Sequence, residues 1–216
     1  MADRAVGVPF AKEGFPFIGV GAGITLITAW LGWIPVAVVA AALTLFVAWF
    51  FRNPPREVPQ GQGLVVSPGD GKVLAVEEEF EPRYLKERAV RISIFLNVFD
   101  VHINRIPCDG LIEDVQYQPG LFLVASKPLA TLQNEQNAVM IKTVEGAKVL
   151  CVQVAGLIAR RIVWWVNPKD RAVRGERYGL IRFGSRMDTY VPIGTAIKVV
   201  VGERVKGGVT ILGELR

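Results

Sequence analysis

Residues 14–51 read GFPFIGVGAGITLITAWLGWIPVAVVAAALTLFVAWFF, 38 positions without one Asp, Glu, Lys, Arg or His. In a chain of 216 residues that is otherwise normally charged, such a run divides the protein in two. It also houses the excess of apolar composition, 51% hydrophobic with a mean hydropathy of +0.34, because ordinary soluble domains stay near or below that apolar share. The block is too long for one span of about 20 residues, and Gly32, Trp33 and Pro35 interrupt it. The break predicts two helices, over 17–31 and 36–51. Each is about 23 Å long at about 1.5 Å per residue, short of a hydrocarbon core of about 30 Å. A tight hairpin entering and leaving by one face, or two short spans that thin the bilayer, fits this length. Arg4 and Lys12 precede the block and Arg52 and Arg56 follow it. That flanking charge puts both termini, and the rest of the chain, on the cytoplasmic face of the inner cell membrane. A cleaved signal peptide fits less well, because no small-residue cleavage site precedes Arg52. A buried core hairpin fits worst, because neither helix has a polar face.

The anchor is therefore read as residues 1–52 and the working domain as 53–216. The text NPPREVP at 53–59 is a stiff exit linker that cannot continue a helix. Beyond it, β-branched runs at 63–67, 72–76, 90–97, 138–143, 148–155, 195–201 and 209–212 alternate with Pro-Gly, Asp-Gly, Glu-Gly and Gly-Gly turns. Only 128–136 and 156–165 read as helical. The expected class is β-rich α+β, an antiparallel β sandwich or barrel-like domain preceded by a two-helix membrane hairpin. The domain carries +4 of the chain's net charge of +5, with 22 basic against 18 acidic residues, which suits an anionic leaflet. Nucleic acid is not expected, since no recognition motif accompanies the charge. A single histidine and two cysteines, Cys108 and Cys151, leave no metal site and no disulfide framework to expect.

Three segments hold the residues that could do chemistry. SPGDGKV at 67–73 has the form of an Asp-Gly hairpin turn around Asp70. FLNVFDVHINRIP at 95–107 contains His102, where a β-branched run gives way to polar residues, and imidazole is the side chain best suited to proton transfer near neutral pH. IRFGSRMDTYVP at 181–192 places Gly184 and Ser185 between two apolar runs. Alone, each also reads as an ordinary turn or a structural histidine.

Taken in order, the segments resemble the shorter branch of the phosphatidylserine decarboxylases, and the resemblance runs from Pro54 to Arg216. It rests on Phe183-Gly184-Ser185-Arg186, on the Pro-x-Asp-Gly motif at Asp70, on Asp100-Val101-His102 followed by Pro107-Cys108-Asp109-Gly110, and on Pro119-Gly120 leading to Asn134-Glu135. The resemblance implies a proenzyme that cuts itself at the Gly184-Ser185 bond into a β chain (1–184) and an α chain (185–216). Ser185 then becomes a covalent pyruvoyl cofactor that forms a Schiff base with phosphatidylserine and yields phosphatidylethanolamine and carbon dioxide. By the same resemblance, His102 serves decarboxylation and Asp70 belongs to an Asp-His-Ser triad for self-cleavage.

The chain departs from the longer branch at Arg105, which stands where that branch has a second histidine and cannot act as a base. Either His102 serves both reactions or Asp70 activates Ser185 more directly; the dual role is favoured because the imidazole titrates nearest working pH. Arg182, Arg186 and Arg105 are candidate anchors for the lipid phosphate or carboxylate. A biotinyl- or lipoyl-like carrier module, another pyruvoyl-dependent decarboxylase and an inert membrane protein are the competing readings. The expected partners are phosphatidylserine in an anionic membrane and the two chains of one precursor, with a homo-oligomer left open.

Overall fold

The structure is a computed structural model that describes residues 9–121, 133–156, 162–182 and 185–216. It divides into two compact units, Gly7–Pro55 and Arg56–Arg216.

The first unit holds a short 3-10 turn, Lys12–Gly14, then helix α1, Phe15–Trp30, and helix α2, Ile34–Phe50. Both helices start about two residues earlier than the sequence reading has them. Pro16 and Pro35 occupy the first turns, where a missing N–H costs nothing because that group has no intrahelical acceptor. Gly32, at φ 75°, makes the reversal between them. The helices approach closely at Gly21, where a Cβ would stand 2.4 Å from Thr44 Oγ1. Thr25, Thr28 and Thr44 return their hydroxyls to carbonyls four residues back at 2.7–2.8 Å, so they expose no unpaired donor to apolar surroundings. The ends of the hairpin are tied by Ala11 N–H to Phe51 O and Asn53 N–H to Pro9 O. The stretch Lys12–Trp30 is long and apolar enough to cross a membrane, whereas Ile34–Phe50 is shorter. Large side chains such as Trp30, Leu26 and Leu45 stand exposed along it.

The second unit is β-rich and antiparallel. Its strands are β1 Leu64–Val66, β2 Gly71–Glu81, β3 Glu87–Leu96, β4 Ile103–Arg105, β5 Gly110–Gln118, β6 Gln136–Lys142, β7 Lys148–Val154, β8 Ile162–Trp164, β9 Arg171–Ala172, β10 Arg177–Ile181, β11 Ser185–Pro192, β12 Ala196–Ile197, β13 Arg204–Val205 and β14 Ile211–Glu214. Eight form one sheet in the order β13-β2-β3-β11-β7-β6-β5-β9. Two three-stranded sheets, β1-β14-β12 and β4-β10-β8, accompany it. One face of the large sheet buries Ile92, Ile94, Leu96, Val139, Ile141, Cys151 and Met187 in the main core. The other carries a smaller cluster that includes Ala89, Leu150, Val152 and Tyr190.

The expected strands are present with shifted ends: those at 72–76, 90–97, 138–143 and 148–155 lie in the large sheet, and those at 63–67, 195–201 and 209–212 in the sheet β1-β14-β12. β2 runs on to Glu81 because its acidic residues meet cations across the ladder, Glu77 opposite Arg91 with an ion pair at 2.6 Å. The run at 195–201 is strand only at Ala196–Ile197, since Glu203 closes a turn onto Val200 N–H. The expected helix at 156–165 is corrected where it is described: Ile162–Trp164 pairs with β10, a place that its β-branched residues suit. The expected helix at 128–136 falls largely outside the described residues, and Gln136 opens β6.

Candidate active site

Ser185 is the first residue of β11, the strand at the middle of the large sheet, flanked by β3 and β7. It stands opposite Leu96, the last residue of β3. Alternation puts Ser185 on the main-core face with Met187, whereas Arg186 and Asp188 point to the other face. The Ser185 hydroxyl is fully buried and has no hydrogen-bond partner among the described residues. A buried hydroxyl left in that state is costly, so it calls for an explanation.

His102 arrives at the same end of the sheet from a different direction. β3 runs out at Leu96 into the turn 97–100, where Asp100 Oδ2 accepts from Asn97 N–H at 2.9 Å and Asp100 N–H donates to Asn97 O at 3.0 Å. Arg204 bonds Asp100 Oδ1 and steadies the turn from β13. The His102 ring closes onto this turn, its Nε2 3.0 Å from Asn97 O. A carbonyl only accepts, so Nε2 carries the hydrogen and the buried Nδ1 is the basic nitrogen of the neutral ring. The backbone adds a second tie: His102 O accepts from Ile181 N–H at 3.3 Å. Ser185 and His102 are thus both referred to the last residues of β3, one through Leu96 and the other through Asn97.

Asp70 is held elsewhere on the turn that joins β1 and β2. Its Oδ2 pairs with Arg56 at 2.7 Å and its Oδ1 accepts from Gly207 N–H at 2.8 Å. Arg105 lies near it, buried, donating to Gly175 O at 2.8 Å. Burial, followed by the neighbouring Arg56 and Arg177 cations, pushes Arg105 down to about 10, and Asp70 pulls the other way. Arg186 goes to the opposite face from Ser185, where Asp188 Oδ2 accepts from its Nη2 at 2.8 Å and Nε at 3.1 Å. Asp188, fully buried, also accepts from Ser93 Oγ at 2.6 Å. This counter-charge makes Arg186 part of the sheet's internal bonding. Arg182 follows β10 and is half-buried. Gly184 lies outside the described residues.

A cavity of about 500 Å³ opens on the Arg186 face, lined by Glu77, Glu79, Arg91, Ser93, Arg186 and Tyr190 among others. Burial, with Asp188 and Glu79 nearby, pushes the Tyr190 phenol up, which keeps its hydrogen for Glu79 Oε1 at 3.2 Å. The sheet separates this cavity from the Ser185 side chain.

Sequence reasoning passed over a line of amides on the Ser185 face. Asn137 Nδ2 donates to Gln153 Oε1 and Gln153 Nε2 donates to Asn104 Oδ1, both at 2.8 Å. All three residues are fully buried. The available signal was a polar amide, Asn137 and Gln153, at the core-facing register of the apolar strands β6 and β7; Asn104, in the three-residue β4, gave none.

Against known proteins, the sequence matches the family model described as phosphatidylserine decarboxylase over residues 43–213. The chain belongs to the phosphatidylserine decarboxylase family. A phosphatidylserine decarboxylase proenzyme of Syntrophus aciditrophicus is 47% identical over 207 residues, covering 94% of this chain and 96% of its own. Those of Nitrosomonas eutropha and Syntrophotalea carbinolica are each 48% identical, covering 95% and 96% of this chain and 95% and 97% of theirs. Alignments of that length extend past the β-rich unit into the helical one. The relatives' name, proenzyme, denotes a precursor that is processed.

Proposed function

We propose that the chain is a phosphatidylserine decarboxylase that cuts itself at the Gly184-Ser185 bond and converts phosphatidylserine to phosphatidylethanolamine, a step of phospholipid biosynthesis. The observation that carries this reading is the Ser185 hydroxyl, buried and without a hydrogen-bond partner among the described residues, at the head of a central strand whose neighbour β3 ends at the turn that orients His102.

Ser185 fits as the source of a pyruvoyl group, since it begins a strand and its side chain is fully buried away from water. That group supplies an electron sink for the bond to the departing carboxylate. His102 Nδ1 takes the Ser185 proton as the hydroxyl attacks the Gly184 carbonyl carbon and gives it to the Ser185 nitrogen as the peptide bond breaks. The ester so formed loses the Gly184 carboxylate by β-elimination, and hydrolysis with release of ammonia turns residue 185 into the pyruvoyl group. The same nitrogen of His102 later supplies a proton to the carbon that loses carbon dioxide. Asn97 fixes the ring so that the same nitrogen serves both steps. Asp70 is a positioning residue that holds its turn and neutralises part of the Arg56 and Arg105 charge. Arg105 and Arg182 remain the candidate contacts to the head-group phosphate; Arg186, already neutralised by Asp188, is assigned to the fold.

The fold supports two chains that stay together after cleavage. The α chain, 185–216, would retain β11 bonded to β3 and β7, β13 bonded to β2, and β14 bonded to β1. A large antiparallel sheet and two small sheets that contribute to the same main core fit a barrel-like catalytic domain, 53–216. The anchor, 1–52, inserts as a helical hairpin into the cytoplasmic face of the inner membrane, consistent with its exposed apolar side chains and with a basic domain facing anionic lipid.

Intact-mass analysis of the purified chain tests the proposal. Two fragments divided between Gly184 and Ser185, the smaller blocked at its N-terminus and reactive with borohydride, are expected, together with carbon dioxide release from phosphatidylserine in mixed micelles. His102→Ala should remove both splitting and turnover. Normal splitting without turnover would sink the double role of His102, and one unmodified chain would sink the whole reading.

A further inference from the structure

We infer that the side-chain amide of Asn104 donates a hydrogen bond to the oxygen carried by residue 185, a role that rests on the self-cleaving reading above. Asn104 lies in β4, two residues after His102, which immediately precedes that strand. Its carbonyl oxygen is taken by Gln153, which is itself held by Asn137. The Nδ2 group is left buried with no hydrogen-bond partner among the described residues. Its position can be fixed through Gly69, where an added Cβ would lie 3.6 Å from Asn104 Nδ2, 3.2 Å from Leu96 Cδ2 and 3.5 Å from Met187 Cγ. Leu96 is the register partner of Ser185, and Met187 is the next residue on its face. Among the described residues, a buried donor without an acceptor on β4 therefore lies close to the end of the large-sheet face that carries a buried hydroxyl without a partner.

Two such groups close together have one economical explanation, that each completes the other when the site is assembled for reaction. The amide line restrains Asn104 from behind, because rotating its carboxamide would break the bond to Gln153. Gly179 lets Gln153 pass, since a Cβ there would meet Gln153 Nε2 at 2.9 Å. A restrained neutral donor in an apolar site stabilises negative charge growing on a nearby oxygen without reorganising. Asn104 acts in this way on the Ser185 oxygen as its proton leaves for His102. After maturation it faces the oxygen that position 185 then carries.

The test uses two variants of nearly equal shape, Asn104→Thr, which keeps a donor, and Asn104→Val, which has none. The full chain is synthesised in a pulse with detergent or vesicles present, and splitting is followed on denaturing gels, a readout independent of decarboxylation. Splitting of the Val variant should be slower than that of the Thr variant by about a hundredfold, the usual cost of one lost donor at such a site. Equal rates for the two, with the unaltered chain splitting normally, overturn the Asn104 role alone. Should neither variant fold, Asn104→Asp decides: it matches the native shape and still accepts from Gln153, and splitting at the unaltered rate overturns the proposal. Failure of the unaltered chain to split refutes self-cleavage itself, and the role of Asn104 with it.

Discussion

Asp188→Asn isolates the charge inside the large sheet. Asp188 is fully buried, the Arg186 guanidinium is nearly so, and they meet through hydrogen bonds of 2.8 and 3.1 Å to one carboxylate oxygen. Ser93 donates to the other oxygen at 2.6 Å. The asparagine keeps the volume but removes the negative charge, and its NH2 must face either a cation or a hydroxyl already used as donor. Breaking one side of a buried ion pair costs about 3–5 kcal/mol, mostly because the remaining charge stays in a poorly polarisable interior. At about 2–4 °C per kcal/mol for a domain of this size, the melting temperature should fall by about 6–20 °C. The measurement is a tryptophan-fluorescence melt of the detergent-solubilised full chain, made in a Ser185→Ala background so that processing does not alter the material. Glu78→Gln is the control, because its 3.9 Å pair with Arg88 is more than half exposed at both ends, and such pairs contribute about 0–1 kcal/mol. A fall for Asp188→Asn no larger than that of the control would refute the argument that Arg186 depends on a buried counter-charge.

Gly71→Ala should destabilise the site from its edge. The new Cβ would lie 2.2 Å from Phe95 O, a backbone atom of the neighbouring strand, so β2 and β3 must part. Overpacking of this kind costs about 1–3 kcal/mol, and a melt of the same background would detect it; an unchanged melting temperature would count against the close approach. Both cysteines should resist alkylation at pH 8 until the chain unfolds. Burial pushes the Cys151 thiol up to about 12, offset in part by a bond with Thr189, and raises Cys108 further, with Cys151 nearby adding to it. The folded thiols hold protons that the unfolded ones release, so this contribution to stability is complete below about pH 8.5 and is lost as pH rises toward 12. Rapid labelling of either thiol in the native protein would contradict the burial.

Much of the architecture was legible because it depends on local rules. An uncharged run interrupted at Gly32 and Pro35 satisfies its backbone as two helices, and the prolines, seated in the first turns, moved each start by about two residues. β-branched runs between Asp-Gly and Pro-Gly turns predict hairpins, and the large sheet contains them. The short strands β4, β8, β9 and β10 were not legible, since each has only two to five residues and takes its conformation from the partner it pairs with. The helical reading of 156–165 gave way for the same reason where Ile162–Trp164 joins β10.

For the site, sequence alone singled out Ser185, His102 and Asp70 as residue types set in unusual contexts, and the order of its motifs pointed to the family. Tertiary structure decided their company. It referred Ser185 and His102 to the same strand end, engaged Asp70 with Arg56 and Gly207, turned Arg186 across the sheet to Asp188, and set Asn104, Gln153 and Asn137 in line. Those relations depend on which strands are neighbours and in what register. Alternation in one strand tells which side chains share a face, but only the pairing of distant strands tells what that face meets.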